Sequence, residues 1–336
     1  MPYVIFITRG EIMANKQHLL LALNQVLHDE SDEQHILSAN QIMEILSTRY
    51  DIQIERRTLY NNIKILQDFG YDINDYSQNK IGYYLQSRQF DKSEINLLCH
   101  NIYSSHIIPD HSSKQLIDKL LATQSKYVKH NFHNHVYTKN NRKSKNKEFF
   151  LNIELLLEAI QSNKTIYFEY TKYNHNKERI AKRKEKYELD PYDLVYENER
   201  CYLIAFDTKH QSLSHYRIDK MKSIQTSTTT FKRRVDFNSY DYISTKMYMY
   251  GGKETSITLR CDNYILDDVI DTFGTNITIL NEKEANTFIA MITSSKTGFI
   301  YWALQYLKYC TVLEPSTLKN EITEIINQAK LRYTNS

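Results

Sequence analysis

The spacing of apolar residues changes twice along this chain, and those changes limit what it can fold into. Up to about residue 121, a short hairpin-like stretch at 71–85 apart, apolar positions recur at helical intervals. From about 165 to 226 they fall in short, aromatic- or β-branched-rich runs, and beyond about 253 the two rhythms mix. Between the first two regimes, Lys126, Lys129, Lys139, Arg142, Lys143, Lys145 and Lys147 face a single acid, Glu148, with few aliphatic residues, so residues 126–148 read as a linker. One continuous core cannot follow such a pattern. The expectation is an α+β multidomain chain, helical first and strand-rich later.

The remaining composition mainly excludes. With 336 residues, 41% of them apolar, the chain can bury two or three cores. Its net charge of +3 leaves any contact with nucleic acid to local clusters. No apolar run approaches the roughly 20 residues of a membrane span, so no membrane partner is expected. Cys99, Cys201, Cys261 and Cys310 lie far apart, without disulfide or metal spacing, which fits a reducing cytoplasm. There is no glycine-rich phosphate loop or catalytic constellation, so neither a cofactor nor an enzyme is expected. His130, His133 and His135 lack a fourth ligand and read as a solvated loop, and Asp267, Asp268 and Asp271 as a solvated helix face. Residues 1–12 match nothing, and Met13 opens directly into an amphipathic helix, which makes Met13 the expected functional start.

Residues 16–28 place Leu19, Leu20, Leu23, Val26 and Leu27 on one helical face. Ser38-Ala39-Asn40-Gln41 forms a capping box for a second helix ending near Tyr50. A short turn leads to a third helix, Arg56 to Phe69, stopped by Gly70. Tyr71–Asp75 and Ile81–Leu85 then read as a hairpin around the polar turn Tyr76–Lys80. Three helices and a hairpin in this order predict a winged helix-turn-helix over residues 14–88. On the third helix Leu59, Ile63 and Leu66 form the buried row, while Arg57, Asn61 and Lys64 line the opposite side beside Tyr60. Arginine and asparagine can each pair bidentately with a base edge, and lysine reaches phosphate. The DNA-facing set is therefore Ser38, Asn40, Arg56, Arg57, Thr58, Tyr60, Asn61, Lys64 and Lys80. A polar outer face on any amphipathic helix would look similar. Residues 1–90 hold eight basic residues against eleven acidic ones, so the acids must lie away from DNA.

Residues 89–148 read as a helical connector and basic linker, with a capping box at Asp91–Glu94, a break at Pro109 and a cap at Ser112/Ser113. A helix from Phe149 precedes five expected strands, Thr165–Tyr170, Tyr187–Leu194, Cys201–Phe206, Leu213–Ile218 and Lys222–Thr226, which suggests a small barrel over residues 149–230. After a tail at 231–252, residues 253–335 alternate strands with helices near 264–273, 297–309 and 316–333, an α+β unit with Trp302 in its core.

These pieces resemble a known family. Arg56-Arg57-Thr58-Leu59-Tyr60 through Gly70, then Gly82-Tyr83-Tyr84-Leu85, resembles the DeoR-like helix-turn-helix at the front of WYL-domain transcription regulators. Ile166–Tyr170, Asp190–Leu194, Cys201–Ile204 and Tyr216–Met221 resemble the WYL domain itself, and Thr258–Arg260, Val269–Gly274, Tyr301-Trp302 and Glu314-Pro315 its C-terminal extension. Cys201 stands where the family's eponymous tryptophan is expected, and Asn61-Asn62 where Arg-Asp is frequent. The resemblance implies an Sm-like, SH3-type five-stranded barrel sensing an anionic ligand, a nucleotide or single-stranded nucleic acid. It also implies a homodimer and ligand contacts at Tyr202 and Arg217.

To these contacts we add Tyr170 and His215 as neighbours. Arg217 and His215 alternate along one strand and share a face, and the tyrosines can stack on a base. Lys172, Lys177, Arg179, Lys182, Arg183, Lys184 and Lys186 add a basic rim. The plainer reading pairs Arg217 with Asp219. The expected function is a ligand-controlled, sequence-specific DNA-binding transcriptional regulator. The alternative is an accessory protein that grips RNA or single strands.

Overall fold

A computed structural model describes residues 16–136, 143–233, 237–244, 246–250, 254–282 and 286–334. Met13 lies outside them, as do the side chains of His133 and His135. The chain divides into two units between Ser144 and Lys145.

In the first unit, α1 (Lys16–Glu30), α2 (Ala39–Tyr50) and α3 (Arg56–Asp68) follow the apolar spacing closely. Leu19, Leu23, Val26, Leu27, Ile42, Leu46, Leu59, Ile63 and Leu66 form their shared core. The Ser38–Gln41 capping box fixes the start of α2. Asp51 ends that helix in the left-handed region, with φ 56°. Gly70, with φ 108°, ends α3. Its N–H donates to the Gln67 carbonyl and that of Tyr71 to Leu66, each at 3.0 Å, the paired bonds of a Schellman cap.

A two-stranded antiparallel ladder follows, β1 (Ile73–Asn74) with β2 (Tyr84–Leu85). The polar segment between them is a single helical turn, α4 (Tyr76–Asn79), capped by Asp75 and Gln78. The ladder is tied to the entry of α2. Leu37 and Tyr83 exchange backbone hydrogen bonds of 2.9 and 2.8 Å. That approach requires Gly82, because a Cβ there would lie 2.2 Å from the Leu37 carbonyl oxygen.

Helices α5 (Lys92–Ser104), α6 (Asp110–Leu121) and α7 (Lys126–Val136) complete the unit around Ile95, Cys99, Ile117, Leu121 and Phe132. Two expectations are corrected here. First, α6 begins at Asp110 rather than at a serine cap. Ser113 is buried inside it and accepts a 2.7 Å hydrogen bond from Lys143 Nζ, which also reaches the Ile102 and Ser105 carbonyls near the end of α5. Second, the lysine-rich stretch expected to be linker begins as helix α7. Its cations are matched by acids from far upstream. Lys126 and Arg49 both pair with buried Glu30, Ser125 donates to buried Asp32 at 2.6 Å, and His35 stacks on Tyr127 at 3.4 Å.

In the second unit, α8 (Phe149–Gln161) lies against a six-stranded antiparallel sheet. Its strands are β3 (Lys164–Tyr173), β4 (Arg179–Ala181), β5 (Tyr187–Glu197), β6 (Arg200–Asp207), β7 (Ser212–Arg217) and β8 (Met221–Thr230). The order runs β4-β3-β5-β6-β7, and β8 returns to β3 across a 3-10 turn, Ile218–Lys220, so the sheet curls. Ile166, Phe168, Leu189, Leu203, Ala205, Ile218 and Met221 are buried. Pro191, which cannot donate to a ladder, sits at the β5 bulge. Strand β4 has only three residues and no alternation to announce it.

The tail expected at 231–252 contains α9 (Ser239–Ser244) and a 3-10 turn, Met247–Met249, whose Tyr242 and Met249 pack on the sheet beside Val195, Ile204 and Tyr202. Then follow β9 (Glu254–Asp262), α10 (Leu266–Phe273), β10 (Thr278–Glu282), β11 (Thr287–Ser295), α11 (Lys296–Gln305), β12 (Cys310–Glu314) and α12 (Ser316–Thr334). The strand order β10-β11-β9-β12, all antiparallel, makes this a split β-α-β-β-α-β unit. Trp302 is 1% exposed in its core, between Phe273 and Tyr306.

Gly82→Ala is expected to destabilise the first unit by about 1–3 kcal/mol through the Leu37 clash. Chemical denaturation followed separately for each unit by hydrogen exchange checks this. Unchanged protection of Leu37 and Tyr83 amides would contradict it.

Candidate nucleic-acid interface and effector site

The outer row of α3 is exposed. Arg56, Arg57, Thr58, Tyr60, Asn61 and Lys64 are exposed, as are Asn40 and Lys80, and Ser38 is half-buried. Asn62 turns inward and donates to the Thr58 carbonyl at 2.8 Å, so of the Asn61-Asn62 pair only Asn61 faces outward. Arg56 donates to Asn40 Oδ1 at 2.8 Å, joining the α3 row to the first turn of α2. Beside that bond lies a groove of about 440 Å³ lined by Ser38, Arg56, Tyr60, Tyr76, Ile81 and Tyr83. Ser38 is also a helix cap, and Lys80 Nζ donates to the Ser77 carbonyl at 2.8 Å.

The charge balance of this unit reads differently once partners are known. Glu30 and Asp32 are buried and held by Arg49, Lys126, Ser125 and His35. Burial would raise the pKa of Glu30, but its bonds from Lys126 and Arg49 hold it below the ordinary value. Two of the eleven acids are thus withdrawn from the surface, Glu30 against two cations and Asp32 against Ser125 and His35.

In the second unit, Arg217 closes β7 with its guanidinium gripping Asp219 in a fork. Nε donates to Oδ1 at 3.0 Å and Nη2 to Oδ2 at 2.8 Å. Asp219 is 3% exposed and also neighbours Arg179, whose Nη1 donates to the Asp219 backbone carbonyl at 2.8 Å. Burial works against the Asp219 charge, yet the two arginines hold its carboxyl below the usual range. The Lys220 ammonium is pushed down by burial and by Arg217, with further repulsion from Arg179 and Lys182. One buried carboxylate therefore sits among four cations, leaving the cluster net positive.

The tyrosines frame this cluster. Tyr170 accepts a 3.2 Å bond from the Arg217 N–H, and burial pushes its phenol up to about 12. Tyr202 lies opposite Arg217 in the ladder. Phe168 and Tyr187 stack at 5.2 Å while Tyr170 and Tyr216 meet them and each other edge-on, with the Arg183 guanidinium 3.5 Å above the Tyr187 ring.

His215 shares a strand face with Arg217 but has other partners. Its Nδ1 lies 3.0 Å from the Met249 carbonyl and its Nε2 3.1 Å from the Tyr242 hydroxyl. A carbonyl only accepts, so Nδ1 carries the proton and Nε2 accepts from the tyrosine. Burial holds this imidazole neutral, with its pKa lowered.

Cys201 is fully buried opposite Tyr196, and burial pushes its thiol up to about 11. Lys220 and Asn146 were not anticipated. Asn146 donates to the Asp219 and Met221 carbonyls at 3.2 and 3.1 Å, and only its adjacency to the basic stretch marked it.

The family of this sheet is decided by its sequence, since residues 152–226 match the family model of the WYL domain. The chain carries a WYL domain. Cys201-Tyr202-Leu203 is then the WYL tripeptide position, and its first residue points into the core rather than towards a ligand. Two solved structures are similar at 13% identity. Proteasome accessory factor B/C (PafBC) of Arthrobacter aurescens aligns over 99% of this chain and 51% of its own, with a TM-score of 0.27. A CRISPR Cas-related protein aligns over 98% and 88%, with a TM-score of 0.38. This chain thus spans about half the length of the first, and at these scores neither likeness carries an argument about it. None of the curated proteins compared matches the chain.

Two outcomes follow for the WYL unit. The unfolded chain protonates His215 near pH 6.5 and the folded one only lower, so this contribution is complete above 6.5 and is lost as pH falls through the lowered folded value. Thermal unfolding at pH 7.5 and 5.5 should show a drop in Tm that His215→Gln reduces. Asp219 acts in a separate window, its contribution complete above 3.8 and lost as pH falls further. Asp219→Ala strands two arginines and should cost about 3 kcal/mol in urea unfolding.

Proposed function

We propose that this protein is a DNA-binding transcriptional regulator whose WYL domain takes an anionic effector. The observation that carries the reading is the uncovered row Arg57, Asn61 and Lys64, with Arg56 and Tyr60 beside it, on a helix seated by a capped helix before it and a two-stranded ladder after it. This element order suits a winged helix-turn-helix with α3 as the reading helix and the Tyr76–Lys80 turn as the wing tip. The same segments would supply phosphate contacts from Ser38, Asn40, Thr58 and Lys80.

The curled sheet of the WYL unit, with β8 returning to β3 after a 3-10 turn, supports reading it as the Sm-like, SH3-type barrel. The excess of cation around Asp219, beside Tyr170 and Tyr202, supports a nucleotide or oligonucleotide effector, whose phosphate would face Arg217 and whose base would stack on tyrosine. We read the protein as a cytoplasmic homodimer, occupying two half-sites about one helical turn apart, and as a binding protein rather than an enzyme.

The test is a mobility-shift and footprinting assay with the duplex upstream of its own gene, against single strands of equal length. Sequence-specific duplex binding should weaken by about 1–3 kcal/mol in Arg57→Ala with relaxed specificity, whereas Lys64→Ala should weaken all duplexes alike and reduce the salt slope by about one. Arg217→Ala should leave duplex binding intact and abolish its response to a nucleotide. Equal or better binding to single strands, indifferent to Arg57 and dependent on the Lys182–Lys186 segment, would replace this reading with that of a single-strand-binding accessory protein.

A further inference from the structure

Four cysteines that look unrelated in sequence include one pair that the fold brings face to face. Cys261 near the end of β9 and Cys310 at the start of β12 are direct partners across the antiparallel ladder. The flanking Asp262 N–H donates to the Tyr309 carbonyl at 2.9 Å, making that pair a hydrogen-bonded one. Pairs alternate along an antiparallel ladder, so Cys261 and Cys310 occupy a non-hydrogen-bonded position. There Cα atoms stand about 4.5 Å apart and side chains approach most closely. That separation lies within the range a disulfide spans, about 4.4–6.8 Å.

Access is unequal. Cys261 is fully buried beside Ile257 and Leu259, whereas Cys310 is half-buried and lines a groove of about 280 Å³ with Ala303, Leu307 and Ile322. We propose that Cys261 and Cys310 form an oxidative modification site, closing to a cross-strand disulfide when the protein meets a hydroperoxide.

The chemistry balances with that one oxidant. The Cys310 sulfur, as thiolate, attacks the terminal hydroperoxide oxygen. The O–O bond breaks, and the departing alkoxide takes a proton to leave as alcohol. Cys261 sulfur then attacks the sulfur of the resulting sulfenic acid, the S–O bond breaks, and hydroxide leaves as water with the Cys261 proton. The two thiols lose two electrons and the hydroperoxide gains them. The Cys261 thiol opposite, together with burial, pushes the Cys310 thiol well above its ordinary value, so the attacking thiolate is scarce and closure is slow at neutral pH. Once formed, the bond joins β12 to β9 and closes the chain segment holding α10, β10, β11 and α11 into a loop.

The experiment uses the reduced full-length protein, treated with hydrogen peroxide for hours at pH 8, alkylated under denaturing conditions and digested without reduction. Mass spectrometry should find a Cys261–Cys310 peptide pair that dithiothreitol separates, with Cys99 and Cys201 recovered as alkylated thiols. Tm should rise by about 5 °C. Cys310→Ser, at the half-exposed partner, should remove both the pair and the Tm rise, while Cys99→Ser should keep them. Recovery of both residues as free thiols, Cys310 as sulfinic acid without a cross-link, or a cross-link to another cysteine would overturn the proposal.

Discussion

The six-stranded sheet of the second unit is organised around one buried carboxylate. Asp219 cannot remain ionised at 3% exposure unless cations come to it, and Arg217 and Arg179 do so from opposite ends of the sheet. Their positions fix the 3-10 turn that follows β7. The backbone of that turn is held in addition by Asn146, by Asn152 on the Met221 carbonyl at 3.2 Å and by Thr171 on the Lys220 carbonyl at 2.9 Å. Helix α8 and strands β3, β4, β7 and β8 therefore converge on three residues. The turn returns β8 to β3, and that return curls the sheet and sets Tyr170 and Tyr202 beside the cations.

The same arrangement explains why the site retains positive potential. A carboxylate paired with one arginine would leave nothing for a ligand to neutralise. Here Lys220 and the exposed Lys182 add to two arginines around a single acid, and the burial of Asp219 strengthens its bonds to the arginines. The site is pre-organised by its internal anion without being neutralised by it. In the first unit the logic is reversed. Buried acids on α1 and just beyond it hold Arg49, Lys126 and His35, while Arg57 and Lys64 of α3 stay exposed.

The resemblance to WYL proteins and the tripeptide position sharpen the role of Cys201. A residue fully buried in β6 opposite Tyr196 contributes volume to the core. The motif's first position is therefore a packing position in this chain. Tyr202, on the other face, is the one that meets the cation cluster.

Much of this was legible from sequence because it is local. The Ser38–Gln41 box, the Gly70 stop and the Leu59/Ile63/Leu66 row lie within one or two helical turns, and physical chemistry at that range needs no tertiary partner. The Arg217–Asp219 pair is two residues apart and equally visible. Helix α7 was hidden, because its lysines looked solvated until Glu30, almost a hundred residues earlier, proved to be the partner of Lys126. Strand β4 was hidden by brevity. The meeting of Arg179 with Asp219, of His215 with Met249 and of Cys261 with Cys310 depended on strand register and chain return, which are properties of the packed chain. Sequence by itself determined most of the helices and longer strands and which faces they bury. Only the tertiary structure decided which charges meet, because pairing between distant residues follows from how buried surfaces stack and not from any spacing along the chain.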